Sequence, residues 1–153
     1  MKKILFFVVL VMLTNGNSGM AQDDEMAFNT LVNVRSLKCD FSDGYIGKWE
    51  KGKIKIEPGK FGTPLHYDSI DLKEQKARII ANQGSSDVSV ITTLTGLTFI
   101  EITPIGNISI TTVFADYKEG SRDFIAVLSR HMKLFPSNVI LPSQYHGICK
   151  VWE

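Results

Sequence analysis

Two short clusters hold most of the side chains that could do chemistry. The first is His66-Tyr67-Asp68-Ser69-Ile70-Asp71. Side chains alternate across a strand, so His66, Asp68 and Ile70 would share one face, and Tyr67, Ser69 and Asp71 the other. A carboxylate beside an imidazole can orient it for acid–base work, and Ser69 would be the nucleophile of a small hydrolase. The serine is out of phase with the histidine, and no nucleophile-elbow glycines surround it. The second cluster is Ser129-Arg130-His131. As a strand it groups His131 with Ser129, Val127 and Ile125, and Arg130 with Leu128, Ala126 and Phe124. A guanidinium grips a carboxylate or phosphate with two parallel bonds, so this cluster could hold an anion or do acid–base work. The simpler reading is that these polar groups mark where a strand leaves the core, and it is preferred. His66, Asp68, Arg130 and His131 are therefore candidate binding residues, and no residue is assigned a catalytic role.

Other chemistry finds less support. His66, His131 and His146 lack HExxH spacing or an i, i+4 pair, so no metal site is expected. Asp40, Asp43 and Gly44 are too sparse for a calcium loop. Gly44, Gly47, Gly52, Gly59 and Gly62 punctuate turns without forming a phosphate loop. No cofactor is expected. Asn107-Ile108-Ser109 fits the glycosylation sequon, which matters only in a eukaryotic secretory pathway. Phe41, Trp49, Phe61, Phe99, Phe114 and Phe124 suit a core, or the lining of an apolar ligand cavity inside a barrel.

The chain of 153 residues carries 17 basic and 16 acidic side chains, and 44% of it is hydrophobic. That is one folded domain, and near-neutral charge argues against a nucleic-acid partner. Its start differs from the rest. Lys2 and Lys3 precede the unbroken apolar run Ile4 to Leu13, then a polar break, then Gly19-Met20-Ala21. This is the three-part pattern of a secretory signal peptide over residues 1–21, cut between Ala21 and Gln22. The run is too short to span a bilayer. Cleavage removes two lysines and no acidic residue, so the net charge falls from +1 to −1. No later apolar run approaches spanning length, so no membrane span is expected in the mature form.

Cys39 and Cys149 both survive cleavage. In an oxidising compartment such a pair is expected to bridge, joining the first and last strands. Residues 22–29 read as an acidic, flexible N-terminus, and residues 30–153 as a single β domain. Within that domain β-branched and aromatic residues alternate with polar ones. Leu37 to Phe41 stops at the turn signal Ser42-Asp43-Gly44, and Lys53 to Glu57 stops at Pro58-Gly59. Leu65 to Leu72, Lys76 to Ala81 and Asp87 to Leu94 follow. Leu97 to Thr103 and Ile108 to Ala115 form a hairpin around Pro104-Ile105-Gly106-Asn107. Phe124 to Met132 comes next, then an irregular stretch bracketed by Pro136 and Pro142, and Ile148 to Trp152 closes the chain. Only Leu72 to Ile80 has helix-forming residues, and Ile79-Ile80 favour strand. About eight or nine short strands imply an all-β fold: a small antiparallel barrel, with a β-sandwich as the alternative.

The run Gly96-Leu97-Thr98-Phe99-Ile100-Glu101-Ile102-Thr103, with Thr111-Thr112-Val113-Phe114, Ser129-Arg130-His131 and Ser143-Gln144-Tyr145, resembles a group of small secreted bacterial proteins of unassigned function. The likeness spans about Cys39 to Cys149. It implies a periplasmic or exported protein and transfers no catalytic residue. The expected function is non-enzymatic binding of a small apolar ligand or of another periplasmic or extracellular protein. The alternatives are an inhibitor or assembly partner acting through loops such as 133–147, and a small hydrolase.

Overall fold

A computed structural model describes residues 18–82 and 84–152. Most of the expected leader therefore lies outside the described residues. One helix precedes nine strands: α1 (Ser18–Leu31), β1 (Leu37–Glu50), β2 (Lys53–Lys60), β3 (Leu65–Asp71), β4 (Lys76–Ala81), β5 (Gly84–Thr93), β6 (Gly96–Ile102), β7 (Ile108–Tyr117), β8 (Phe124–Leu134) and β9 (Val139–Val151). All pairings are antiparallel, in the order β2-β1-β3-β4-β5-β6-β7-β8-β9, and β1 also pairs with β9. That last pairing closes an eight-stranded barrel, with β2 as one extra strand. The fold is the expected antiparallel barrel and not a sandwich.

The closure depends on where β1 sends its two edges. Leu37 to Cys39 pair with Tyr67 to Leu65 of β3, while Asp43 to Glu50 pair with Lys60 to Lys53 of β2. On the opposite edge Cys39 faces Cys149 directly, and the two form the disulfide between β1 and β9. The bridge is fully buried inside the wall.

Alternation fills the interior. Leu37, Cys39, Phe41, Leu65, Tyr67, Ile79, Val90, Leu97, Phe99, Val113, Phe124 and Leu128 all point inward and are buried. The Tyr67 and Phe99 rings stack at 4.1 Å between centroids, and the Tyr67 hydroxyl donates to Thr111 Oγ1 at 2.7 Å. Thr111 is thereby a satisfied buried polar group, as burial requires. Gly147 leaves room for Phe41: a Cβ there would lie 2.7 Å from the Phe41 ring.

Each end of the barrel is covered. At the end where β1 begins, α1 packs across β6 and β7 with Ala27 and Leu31 buried, followed by Val34. Arg35 then pins the end of β3: its Nη1 donates to the Ile70 carbonyl at 2.9 Å and its own carbonyl accepts the Ile70 N–H at 3.2 Å. At the other end Phe61 sits between Phe41 and Tyr145, 6.2 and 5.3 Å from their ring centroids.

Four local expectations change. Residues 22–29 lie in a helix, not a flexible tail, because Ala27 and Leu31 are four apart and share the face that meets the barrel. Ser42-Asp43-Gly44 is a β-bulge in a continuous β1, not a turn. Its register against β9 shifts between Phe41 and Gly44, and Gly44 fits only because a Cβ would strike Tyr145. Pro58-Gly59 and Pro142 are inside strands, not beyond their ends. Residues 72–75 form a turn, capped by Asp71 Oδ1 accepting the Lys73 and Glu74 N–H groups at 3.0 Å each, and Lys76 begins a strand.

Candidate functional site

His66 and Asp68 do share the outer face of β3, but each is engaged by a different neighbour. The His66 ring stands edge-on to Trp152 at 5.5 Å. Asp68 takes two hydrogen bonds from Arg78 of β4, at 2.8 and 2.6 Å, across the register pair Asp68↔Arg78. Those bonds hold its carboxyl below the usual carboxylate range. Ser69 has a left-handed backbone, with φ of 52°, and is exposed. Ser69 reaches only the Asp68 carboxyl, which Arg78 already holds, and among the described residues no hydrogen bond joins it to His66.

Arg130 and His131 point to opposite faces of β8. Arg130 is on the inner side at the end of the barrel, its guanidinium 5.4 Å from the Phe61 ring centroid. This contact is cation–π in type. His131 is exposed on the outer side, between Ile108 of β7 and Pro142 of β9. The registers separate the two clusters. His66 is level with Lys38 and, through it, with Lys150 and the start of β8. From there His131 is farther along β8 by roughly 26 Å at the usual strand rise. The four candidate residues therefore form no common cleft. Among the described residues, no group of three or more His, Cys, Asp or Glu side chains is placed to hold a metal ion.

Two surface hollows stand out among the described residues, and neither is lined by these four. One, of about 450 Å³, runs along α1 past Gln22, Met26 and Thr30. The other, of about 430 Å³, lies between the end of α1 and Trp152, against Val34 and Val151.

The sequence reading missed a different feature, at the end of the barrel away from α1. There β1–β2 and β8–β9 continue as two hairpin arms. Directly paired residues share a face. Tyr45↔Pro58, Gly47↔Ile56 and Trp49↔Ile54 form the outer face of the first arm, while Lys48↔Lys55 and Glu50↔Lys53 form its inner face. The inner face is stitched by charge: Glu57 meets Lys48 at 2.6 Å and Lys55 at 2.7 Å. These bonds, from Lys48 first and then Lys55, pull the Glu57 carboxyl down to about 2. The outer face is apolar and exposed, with Ile56 at 69% and Trp49 at 56% of full exposure. Phe135 and Ile140 extend it onto the second arm, at 59% and 50%. Outward apolar alternation from Tyr45 to Pro58 was the available signal. It was hidden because Trp49 reads as a core residue and Gly44 to Glu50 follow an apparent turn.

Asn107 also takes a role its sequon does not suggest. Its side chain is buried, and its Oδ1 accepts the Lys133 N–H at 2.7 Å, tying the β6–β7 turn to β8. In the folded chain its side-chain oxygen is occupied. Among the described residues no helix is long and apolar enough to cross a membrane. The disulfide fits an exported protein. Comparison with protein-family models, with curated proteins and with solved structures finds no match to this chain.

Proposed function

We propose that the chain is a non-enzymatic binding domain of the periplasm or extracellular space, released by cleavage between Ala21 and Gln22, that works through its outer surface at the hairpin end. One observation carries this reading: the barrel interior is occupied by buried side chains from α1 to Phe61, while exposed aromatic and aliphatic residues gather on one outer face. A soluble protein rarely leaves such a contiguous apolar patch uncovered. A ligand in the lumen would have to displace the Tyr67–Phe99 pair and break the Tyr67–Thr111 bond. A hydrolase using His66, Asp68 or His131 finds less support, because register puts His131 roughly 26 Å along β8 from the level of His66.

The reading is tested with a photo-crosslinking residue placed at Ile56, on the outer face of the arm, or at Ile91, exposed on β5 across the barrel. In cells of the source, position 56 should give a discrete adduct and position 91 none. Adducts from 91 alone, or from neither site, would contradict it. A second reading, a small apolar ligand, is favoured by the hollow formed by Val34, Val151 and Trp152. Saturating that hollow with a ligand should perturb Trp152 emission and leave Trp49 unchanged.

A further inference from the structure

The hairpin end forms one contiguous edge six strands wide. Ile102 pairs with Ile108, Ile108 with His131, and His131 with Pro142. β9 pairs with β1 as far as Ser143↔Ile46, so Pro142 comes level with Gly47; a Cβ on Gly47 would lie 3.0 Å from the proline ring. Gly47 in turn pairs with Ile56. At about 4.8 Å per strand this outward row is roughly 24 Å across. It is apolar at every position except His131 and Gly47. Three hairpin ends stand just beyond it. The Leu134↔Val139 and Glu50↔Lys53 closing pairs are each three residues past the row, and the β6–β7 turn brings Ile105 to the same level.

Charge is polarised in the same direction. Residues 43–60, 101–109 and 130–142 hold seven Lys or Arg and four Asp or Glu, a net charge of +3. The whole mature chain sums to −1, so the remainder carries −4. Asp23, Asp24 and Glu25 of that remainder lie on α1, at the opposite end.

We propose that this end of the barrel docks on an anionic lipid bilayer surface. The proposal rests on the outer-face reading above and names its partner. A second copy docking through the same end would bring +3 against +3, so charge at this end favours an anionic partner. Three tips at one level suit a flat, deformable surface, and the two hollows described above are at the helix end. Trp49 and Tyr45 have the amphipathic rings that settle at headgroup depth. Lys51 at the turn, with Lys60 and Lys133 on the outer side, would sit among lipid phosphates. Shallow, reversible adsorption of this kind needs both an apolar area and a basic patch.

The test uses mature, disulfide-bonded protein and vesicles of phosphatidylcholine, with or without phosphatidylglycerol. The protein should co-sediment with the mixed vesicles and not with phosphatidylcholine alone, and high salt should weaken binding about tenfold or more. The chain has two tryptophans, so Trp152→Phe isolates Trp49, whose emission should shift to the blue on binding. The exposed double change Trp49→Ala/Phe135→Ala should lower affinity at least about tenfold while thermal unfolding stays unchanged. Leu94→Ala, at a 98% exposed site on the far end, should leave binding intact. Equal binding to both vesicle types, or indifference to the double change, would overturn the proposal. Absence of vesicle binding while position 56 still crosslinks to a protein would overturn the lipid and keep the outer-face reading. Loss of both would overturn both.

Discussion

Individual side chains here are committed to structure more than to chemistry. Asp68 and Arg78 form a well-aligned pair, yet it lies at the surface with Arg78 exposed and Asp68 only partly covered, so the pair adds little to stability. Asp68→Asn should therefore shift thermal unfolding little, and any lost activity without lost stability would mean the carboxylate has a partner outside the chain. Tyr67 is different. Burial pushes its phenol up, and its hydroxyl serves the buried Thr111. Tyr67→Phe leaves the threonine hydroxyl unpaired and should cost about 1–2 kcal/mol in denaturant unfolding; an unchanged midpoint would show that bond to be dispensable. Glu57 sets an acid limit for the arm. Its folded pKa of about 2 lies below the unfolded carboxylate value of about 4.3. Its contribution is thus complete above the unfolded value and is lost as pH falls through the folded one. Carboxyl-carbon NMR should show Glu57 titrating at about 2, and a midpoint no lower than the unfolded value would remove the two lysines from the account. The alternating faces of 66–68 and 125–131 were legible in the sequence, since period two needs no tertiary information; the left-handed Ser69 and the register shift between Asp68 and Asp71 instead turn Ile70 into the core, away from the face it was expected to share with His66 and Asp68. Which partner each polar group meets was not legible, because Arg78, Trp152 and Phe61 reach them only through strand register.

At the scale of elements, the arm β1–β2 shows both what a sequence pattern conveys and what it hides. Lys51 and Gly52 have φ of 52° and 79°. These are the two left-handed residues of a tight hairpin turn, so Glu50 and Lys53 exchange both backbone bonds. Bonds to β1 then alternate from Lys53 onward, and the N–H groups of Ile54 and Ile56 face the free edge of β2. Pro58 falls on that same free-edge phase, where a missing donor costs the barrel nothing and blunts pairing with another chain. This is why a proline taken as a strand terminator lies inside one. Pro58→Val restores the donor and should increase self-association in sedimentation velocity; a monomer at every concentration tested would remove this role. Helix α1 was missed for a related reason. Its acidic first half looks like a solvated tail, and an isolated helix of this length is marginal in water. Only burial of Ala27 and Leu31 against a barrel formed later in the chain stabilises it. The leucine alone contributes roughly 2–3 kcal/mol.

At the scale of the molecule, the closure of the barrel and the disulfide are one feature. Two cysteines separated by 110 residues become direct neighbours because β1 and β9 complete the ring. Strand count, antiparallel class and the bridge were all readable beforehand, since alternation and cysteine number constrain topology strongly. The place of β2 outside the ring was not, because nothing local says that β1 must outlast its partner β3. Replacing both cysteines by alanine should cost about 2–5 kcal/mol and lower the unfolding temperature, while the barrel persists; an unchanged midpoint would make the bridge incidental. The proposed outer-surface function depends on the interior being filled by the chain's own side chains. Native mass spectrometry of mature protein isolated from its own compartment tests this most directly. The predicted mass is that of the chain from Gln22 to Glu153 with one disulfide and nothing else bound. A small molecule that accompanies the folded protein, is released on denaturation and is still carried by Trp152→Ala, which removes a wall of the outer hollow, would contradict it.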